Sequence, residues 1–197
     1  MACRGWLRVV GCGLALTAWC ACTSVPEPLF RVDSFELIDE RGDAFGSRDL
    51  DGTTWAAAFI FTSCRSVCPK ISRKMVRLGG LAQEKGLPLE LVFFSVDPEH
   101  DTPEALKAYA TKMGAIGEHF HFLTGDPEAV RETVIGNFKQ PMNVESDGGQ
   151  AMMEIAHGTR IVLVDAERSV RGLYEATDQG VEALLRDARR LPVAGRI

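Results

Sequence analysis

Residues 59–72 read FIFTSCRSVCPKIS: an apolar run, two cysteines four positions apart, and a proline directly after the second. A redox switch, a metal clamp and a structural staple all suit such a pair. Proline is favoured in the first turn of a helix, because the N–H it lacks has no intrahelical partner there anyway. That predicts a helix opening around Cys68, with Cys64 in the loop just ahead of it. Both sulfurs then lie at the positive end of the helix dipole, with Arg65 and Lys70 close in sequence. Such a setting lowers a thiol pKa and supplies thiolate for metal binding or disulfide exchange. The plainer alternative is a stabilising disulfide, but a loop this small constrains the unfolded chain little.

The rest of the chain places this motif. WAAAFIFTS (55–63) is a continuous apolar run of strand length, which predicts a buried strand ahead of the cysteines. PKISRKMVRLGGLAQEKG (69–86) carries Ile71, Met75, Leu78 and Ala82 at helical spacing, with Gly86 as the stop. LPLELVFFSVD (87–97) predicts a second buried strand, giving a βαβ unit with parallel strands and a right-handed crossover. DTPEALKAYATKMG follows as a helix, with Thr102 as N-cap and Pro103 in the first turn. HFHFLTG (119–125) reads as a short strand and DPEAVRETVIGNF (126–138) as a helix. TRIVLVD and SVRGLYEA form a hairpin around AERS, and GVEALLRDARRL closes the chain as a helix. Upstream, FELIDERGDAF (35–45) reads as two short strands around the turn ERGD. Residues 140–158, QPMNVESDGGQAMMEIAHG, form an unusually long polar loop, and loops of that length in compact domains are functional or disordered. Strands alternating with helices, finished by a hairpin and a helix, describe a thioredoxin-like α/β domain over residues 35–197. Its central mixed sheet is flanked by helices, with the N-terminal β-hairpin as an extension.

The chain has 197 residues, 46% hydrophobic and 25% charged, which suits one globular domain whose core needs no staple. A net charge of −5 without a basic stripe argues against nucleic acid as a partner. No Gly-rich loop follows a predicted strand, which argues against phosphate. Residues 1–22, MACRGWLRVVGCGLALTAWCAC, have Arg4 and Arg8, then an apolar stretch and no acidic residue. That is the pattern of an export signal, and the apolar part is short for a membrane span. Cys22, after Ala21, resembles the lipidated cysteine of a lipoprotein signal, although Trp19 stands where such signals usually carry Leu. Cys20 is a poorer candidate, and an uncleaved anchor is the alternative. Either way the domain is tethered outside the cytoplasm, on the periplasmic side of the cell membrane. Residues 23–34, with Pro26 and Pro28, read as a stiff linker. Removing residues 1–21 takes Arg4 and Arg8 from the 22 basic residues, leaving 20 against 27 acidic, net −7. It also leaves Cys64 and Cys68 as the free thiols once Cys22 carries lipid. Disulfides persist outside the cytoplasm, so the pair is oxidised there unless a thioredoxin-like reductant opens it.

If the two thiolates hold metal they want a third ligand, and histidine is the commonest donor. Of the four histidines, His100 lies in the turn DPEHDTP, while His119 and His121 alternate along one strand and read as surface residues. His157 ends the long loop and precedes TRIVLVD, where a thioredoxin-like fold brings the chain against the cysteine loop. By position alone a structural histidine is the plainer reading. Met152 and Met153 offer soft thioethers nearby, or simply pack.

Three blocks together, FTSCRSVCP, FFSVDPEHDTPEALKAYA and HGTRIVLVD, resemble the Sco/SenC copper chaperones in order and spacing. The resemblance covers most of residues 35–190. It implies a membrane-tethered thioredoxin-like protein that helps to assemble the copper centre of cytochrome c oxidase. It also implies copper ligation by the Cys-x3-Cys pair and a distal histidine, here Cys64, Cys68 and His157. The implied partners are the copper-bearing oxidase subunit or another copper chaperone, and the implied role is delivery of copper or maintenance of thiols rather than dedicated catalysis. Residues 65–67 are Arg-Ser-Val where members often carry Pro-Asp-Val, and Gly158 stands where Ser or Thr is common. Two thiolates and an imidazole suit Cu(I), and Cu(II) with an added oxygen ligand. Structural zinc wants a fourth protein ligand, and none is evident. The rivals are a thiol–disulfide oxidoreductase or redox sensor, whose usual motif is Cys-x-x-Cys with an opposing cis-proline, and a thioredoxin-fold peroxidase. No proline falls between Pro141 and Pro192, and none lies between Pro28 and Cys64. Both rivals therefore lack part of their pattern.

Overall fold

Strand β4 (Trp55–Ile60) is apolar from end to end because both of its faces are buried. Ala56, Ala58 and Ile60 face one core, and Trp55, Ala57 and Phe59 face the other. The structure is a computed structural model that describes residues 25–140 and 160–192. Within them β4 belongs to a six-stranded sheet with β1 (Phe30–Arg31), β5 (Glu90–Ser95), β6 (Phe120–Leu123), β7 (Arg160–Val164) and β8 (Ser169–Glu175). The strand order is β1-β8-β7-β4-β5-β6. β4, β5 and β6 run parallel, and β7, β8 and β1 are each antiparallel to the preceding neighbour in the order β4-β7-β8-β1. The hairpin of β2 (Glu36–Ile38) and β3 (Ala44–Gly46) forms a second, two-stranded sheet. The α/β fold expected from the sequence is present, its βαβ unit and both hairpins included.

One face of the six-stranded sheet carries α1 (Cys68–Glu84) and α2 (Pro103–Met113), joined by a helix over Asp178–Ala188. Ile71, Met75, Leu78 and Ala82 of α1 are all buried, as their spacing predicts. Gly79 lets α1 come close: a Cβ there would stand 2.6 Å from Leu91 Cδ1 and 3.0 Å from Phe120 Cζ. α2 is capped by Thr102, whose hydroxyl accepts from Ala105 N at 3.3 Å, and it ends at Gly114, whose φ of 74° is left-handed. The opposite face is covered by the β2–β3 hairpin and by α3 (Pro127–Arg131), which continues as a π-helical turn over Glu132–Asn137. The single helix expected over 126–138 is therefore divided. Val130, Val134 and Phe138, four apart, all reach the core regardless. The helix over Asp178–Ala188 is labelled α4, and Thr177 caps it by accepting from Gly180 N at 3.1 Å.

Two expectations fail. Residues 29–32 are not linker but docked chain: Phe30 and Arg31 pair with Val170 and Ser169, and Val32 is wholly buried. A two-residue strand preceded by two prolines gives no period to read. The histidine pair also departs from its pattern. β6 starts only at Phe120, so His119 lies outside the alternation. The His119 ring packs on Phe120 and lies beside Gly79 of α1, while His121 faces the hairpin. His121 is buried rather than on the surface, its ring tilted against Phe45 at 4.5 Å and bonded to Glu90 Oε2 at 2.9 Å.

The docked N-terminal segment depends on Asp165, which is fully buried and accepts from Ser169 N at 2.7 Å and Arg171 Nε at 2.5 Å. Arg171 also donates to Pro26 O at 2.9 Å. Replacing Arg171 by Ala should strand a buried carboxylate and cost about 3 kcal/mol. Denaturant unfolding checks this, and the Leu29 and Val32 amides should lose exchange protection first. An unchanged unfolding midpoint would show that the clamp carries no stability.

Candidate metal centre

β4 ends at Ile60 and passes into a loop that reaches Val67, the residue before α1. Cys64 N donates to Phe61 O at 3.2 Å, a turn that swings Cys64 back over the helix entrance. α1 has no side-chain oxygen at its N-cap. Sulfur takes that place: Cys64 Sγ accepts the Cys68 N–H at 3.3 Å. The helix starts at Cys68 with Pro69 in its first turn, and the two thiols hydrogen bond to each other. The juxtaposition expected from the sequence is present.

The two sulfurs differ in character. Burial pushes the Cys64 thiol up, but the N–H groups of Cys68, Ser66 and Val67 and the Cys68 thiol outweigh it, holding Cys64 below the ordinary thiol value. Cys68 is fully buried. Burial, its hydrogen bond to Cys64, and the charges of Cys64 and Asp101 push its thiol far above that value. The helix entrance was expected to lower both; only Cys64, which the amides of residues 66–68 reach, is lowered. Beneath Cys68, Ser72 Oγ and Tyr109 Oη lie 2.9 Å apart, and burial pushes the Tyr109 phenol up to about 12.

Asp101 is a site residue that the sequence reading missed. It is fully buried and accepts from Thr62 N at 3.1 Å, Thr62 Oγ1 at 2.5 Å and Ser95 Oγ at 2.6 Å. These bonds join the end of β4 to the end of β5, two residues ahead of Cys64. The available signal was an aspartate directly before the Thr102 cap, in the short loop that follows a strand buried on both faces.

Of the described histidines, His100 lies at the cysteine end of the sheet, but it is largely exposed and bonds to Asp97 Oδ1 at 2.8 Å. His119 and His121 lie toward the end where β4 begins, since His121 pairs with Val92 and Val92 with Ala57. No group of three His, Cys, Asp or Glu able to hold a metal occurs among the described residues. Cys22, Met152, Met153 and His157 lie outside them. The antiparallel register of β7 on β4 puts the start of β7, Arg160, at the end of β4 from which the cysteine loop leaves. Chemically, two sulfurs of unequal acidity at a loop–helix junction can exchange disulfides, or give two soft donors to an ion that brings or finds a third.

A family model described as SCO1/SenC matches residues 26–191. The chain is 31% identical over 131 residues to the SCO1 protein homolog of Bacillus subtilis, covering 64% of this chain and 68% of that protein. It spans about two thirds of the length of the curated relatives it matches. The crystal structure of a SCO1/SenC family lipoprotein from Bacillus anthracis is similar with a TM-score of 0.72 at 31% identity, covering 85% of this chain and 99% of that one. BsSco, described as a member of the Sco family of cytochrome c oxidase assembly proteins with a disulfide switch, gives 0.73 at 25% identity, covering 84% and 96%.

The unequal thiols set an order of reaction. Reduced protein treated with iodoacetamide should be modified at Cys64 first, with a rate midpoint below the ~8.5 of a free cysteine. Cys68 should react only on unfolding. Peptide mass spectrometry across a pH series reads both, and faster labelling of Cys68 would reverse the assignment.

Proposed function

The chain belongs to the SCO1/SenC family, and from that premise we propose that it is a membrane-tethered, extracytoplasmic copper chaperone for cytochrome c oxidase assembly. Copper is its cargo, held by Cys64, Cys68 and His157. The observation that carries this reading is the pair of converged sulfurs at the head of α1, with Cys64 serving as the helix cap. Soft thiolates prefer copper, and the absence of a fourth protein donor in the proposed set disfavours structural zinc. Chain geometry supports the third ligand. His157 precedes Arg160 by three residues in the sequence, and Arg160 opens β7 at the end of β4 from which the cysteine loop leaves.

The unequal thiols give the cycle a direction. A reductant of the thioredoxin class supplies two electrons and two protons to open an oxidised Cys64–Cys68 pair. Cys64 then presents thiolate readily, whereas Cys68 gives up its proton only as the ion enters, because metal binding displaces protons from its ligands. Release to an acceptor proceeds by ligand exchange and is easiest at the more accessible Cys64.

The same asymmetry favours a second reading, a thiol–disulfide reductase in which Cys64 attacks and Cys68 resolves. The histidine separates the two, since a chaperone needs the imidazole and a reductase does not. Reduced protein should bind one copper. Cys64→Ser, Cys68→Ser and His157→Ala should each weaken binding by about tenfold or more, while His100→Ala and His119→Ala should not. Oxidised protein should bind none. Oxidase assembly that survives His157→Ala but fails in Cys64→Ser would move the reductase reading ahead.

The tether is proposed at Cys22. No helix among the described residues is long and apolar enough to cross a membrane, and a solved relative is described as a lipoprotein. Expressed in a bacterial host, the whole chain should fractionate with membranes, and mass spectrometry should find diacylglyceryl on Cys22. An unmodified full-length chain in the cytosol would rule out export.

A further inference from the structure

Away from the cysteine loop, the later halves of α1 and α4 enclose a groove of 310 Å³. Arg77, Leu81 and Lys85 line it from the α1 side, spaced four apart and so on one stripe of the helix. Leu185, Arg186 and Arg189 line it from α4, together with Glu182. Four cations and one carboxylate therefore share a lining with an apolar floor. The sequence shows no basic run because these cations come from segments about a hundred residues apart.

Their pairing is uneven. Arg77 leans toward Asp178 at 3.4 Å. Asp187, the nearest acid in sequence to Arg186 and Arg189, is taken by Arg190 at 3.1 Å and by Tyr174 Oη at 2.8 Å. Among the described residues no ion pair engages Lys85, Arg186 or Arg189. The whole chain has 27 acidic residues against 22 basic ones, so acids are not scarce. Other cations among the described residues also lack an ion pair, but these three line the same cavity. Crowded like charges destabilise a helix surface, and a bound anion relieves them.

We propose that this groove is a binding site for a phosphate-bearing anion: the headgroup of an anionic phospholipid or free inorganic phosphate. The guanidinium forks of Arg186 and Arg189 match phosphate oxygens, Lys85 adds a third charge, and Leu81 and Leu185 accept the apolar part of a larger ligand. The site is independent of copper ligation.

The test uses the full chain in a non-ionic detergent, monitored by thermal unfolding at fixed ionic strength. Inorganic phosphate is titrated against chloride in one arm. In the other, micelles doped with phosphatidylglycerol are compared with micelles doped with phosphatidylcholine. Stabilisation by phosphate, by phosphatidylglycerol or by both is expected. The double variant Arg186→Gln/Arg189→Gln should shift half-saturation about tenfold upward through loss of charged hydrogen bonds, while Arg131→Gln on α3 should not. A response to phosphatidylglycerol alone identifies a lipid headgroup, and a response to free phosphate identifies a soluble ligand. Circular dichroism checks the fold of the double variant, and Lys85→Gln makes the same comparison if that variant unfolds. No stabilisation by either probe, or equal stabilisation of the variants and the parent, overturns the site.

Discussion

The carboxylate of Asp101 is shut away from solvent, yet it accepts from the Thr62 amide, the Thr62 hydroxyl and the Ser95 hydroxyl. Those donors offset the cost of burying it. They also make two strand ends behave as one piece. Because Thr62 is fixed, the direction in which the chain leaves β4 is fixed, and Cys64 follows two residues later. The same negative charge stands close enough to Cys68 to oppose its ionisation. One side chain from the loop after β5 thus positions one sulfur and adds to the burial that keeps a proton on the other.

That arrangement needs a rigid floor, and the two-sided sheet supplies it. Trp55, Phe94 and Phe138 pack together on one side of the sheet, and Phe93 stacks on Phe122 at 4.1 Å on the other. Burying each such ring contributes about 1.5–3 kcal/mol. The β2–β3 hairpin is part of this floor. Phe45 covers His121, Glu40 accepts the Phe122 amide at 2.9 Å, and Ile38 exchanges backbone bonds with Thr124. Together these occupy groups that the edge strand β6 would otherwise present to a neighbouring chain.

Much of this is legible in the sequence. The unbroken apolar runs of β4 and β5, the helical spacing of Ile71 to Ala82 and the Thr102–Pro103 cap each carry local signals that the fold obeys. The Cys-x3-Cys-Pro stretch likewise announced its place at a helix entrance. What stayed hidden depends on partners distant in sequence. Asp101 reads as a turn residue until Thr62 is brought to it from 39 positions away. Phe30 and Arg31 read as linker because only β8, far along the chain, turns them into a strand. The split acidity of the cysteines was invisible for the same reason. The dipole is local, but the burial that overrides it at Cys68 is set by the whole core.

Docking of residues 29–32 and the hold on Pro26 change how far the domain can travel. A linker of 12 extended residues spans about 40 Å. With Pro26 O bound by Arg171, only four residue steps separate that point from the proposed lipid at Cys22, about 14 Å at full stretch. On the proposed tether, a domain on so short a leash would roll on the bilayer surface rather than roam above it. It would then meet acceptors by lateral diffusion in the membrane plane, and an acceptor would have to present its copper-binding face close to the lipid headgroups.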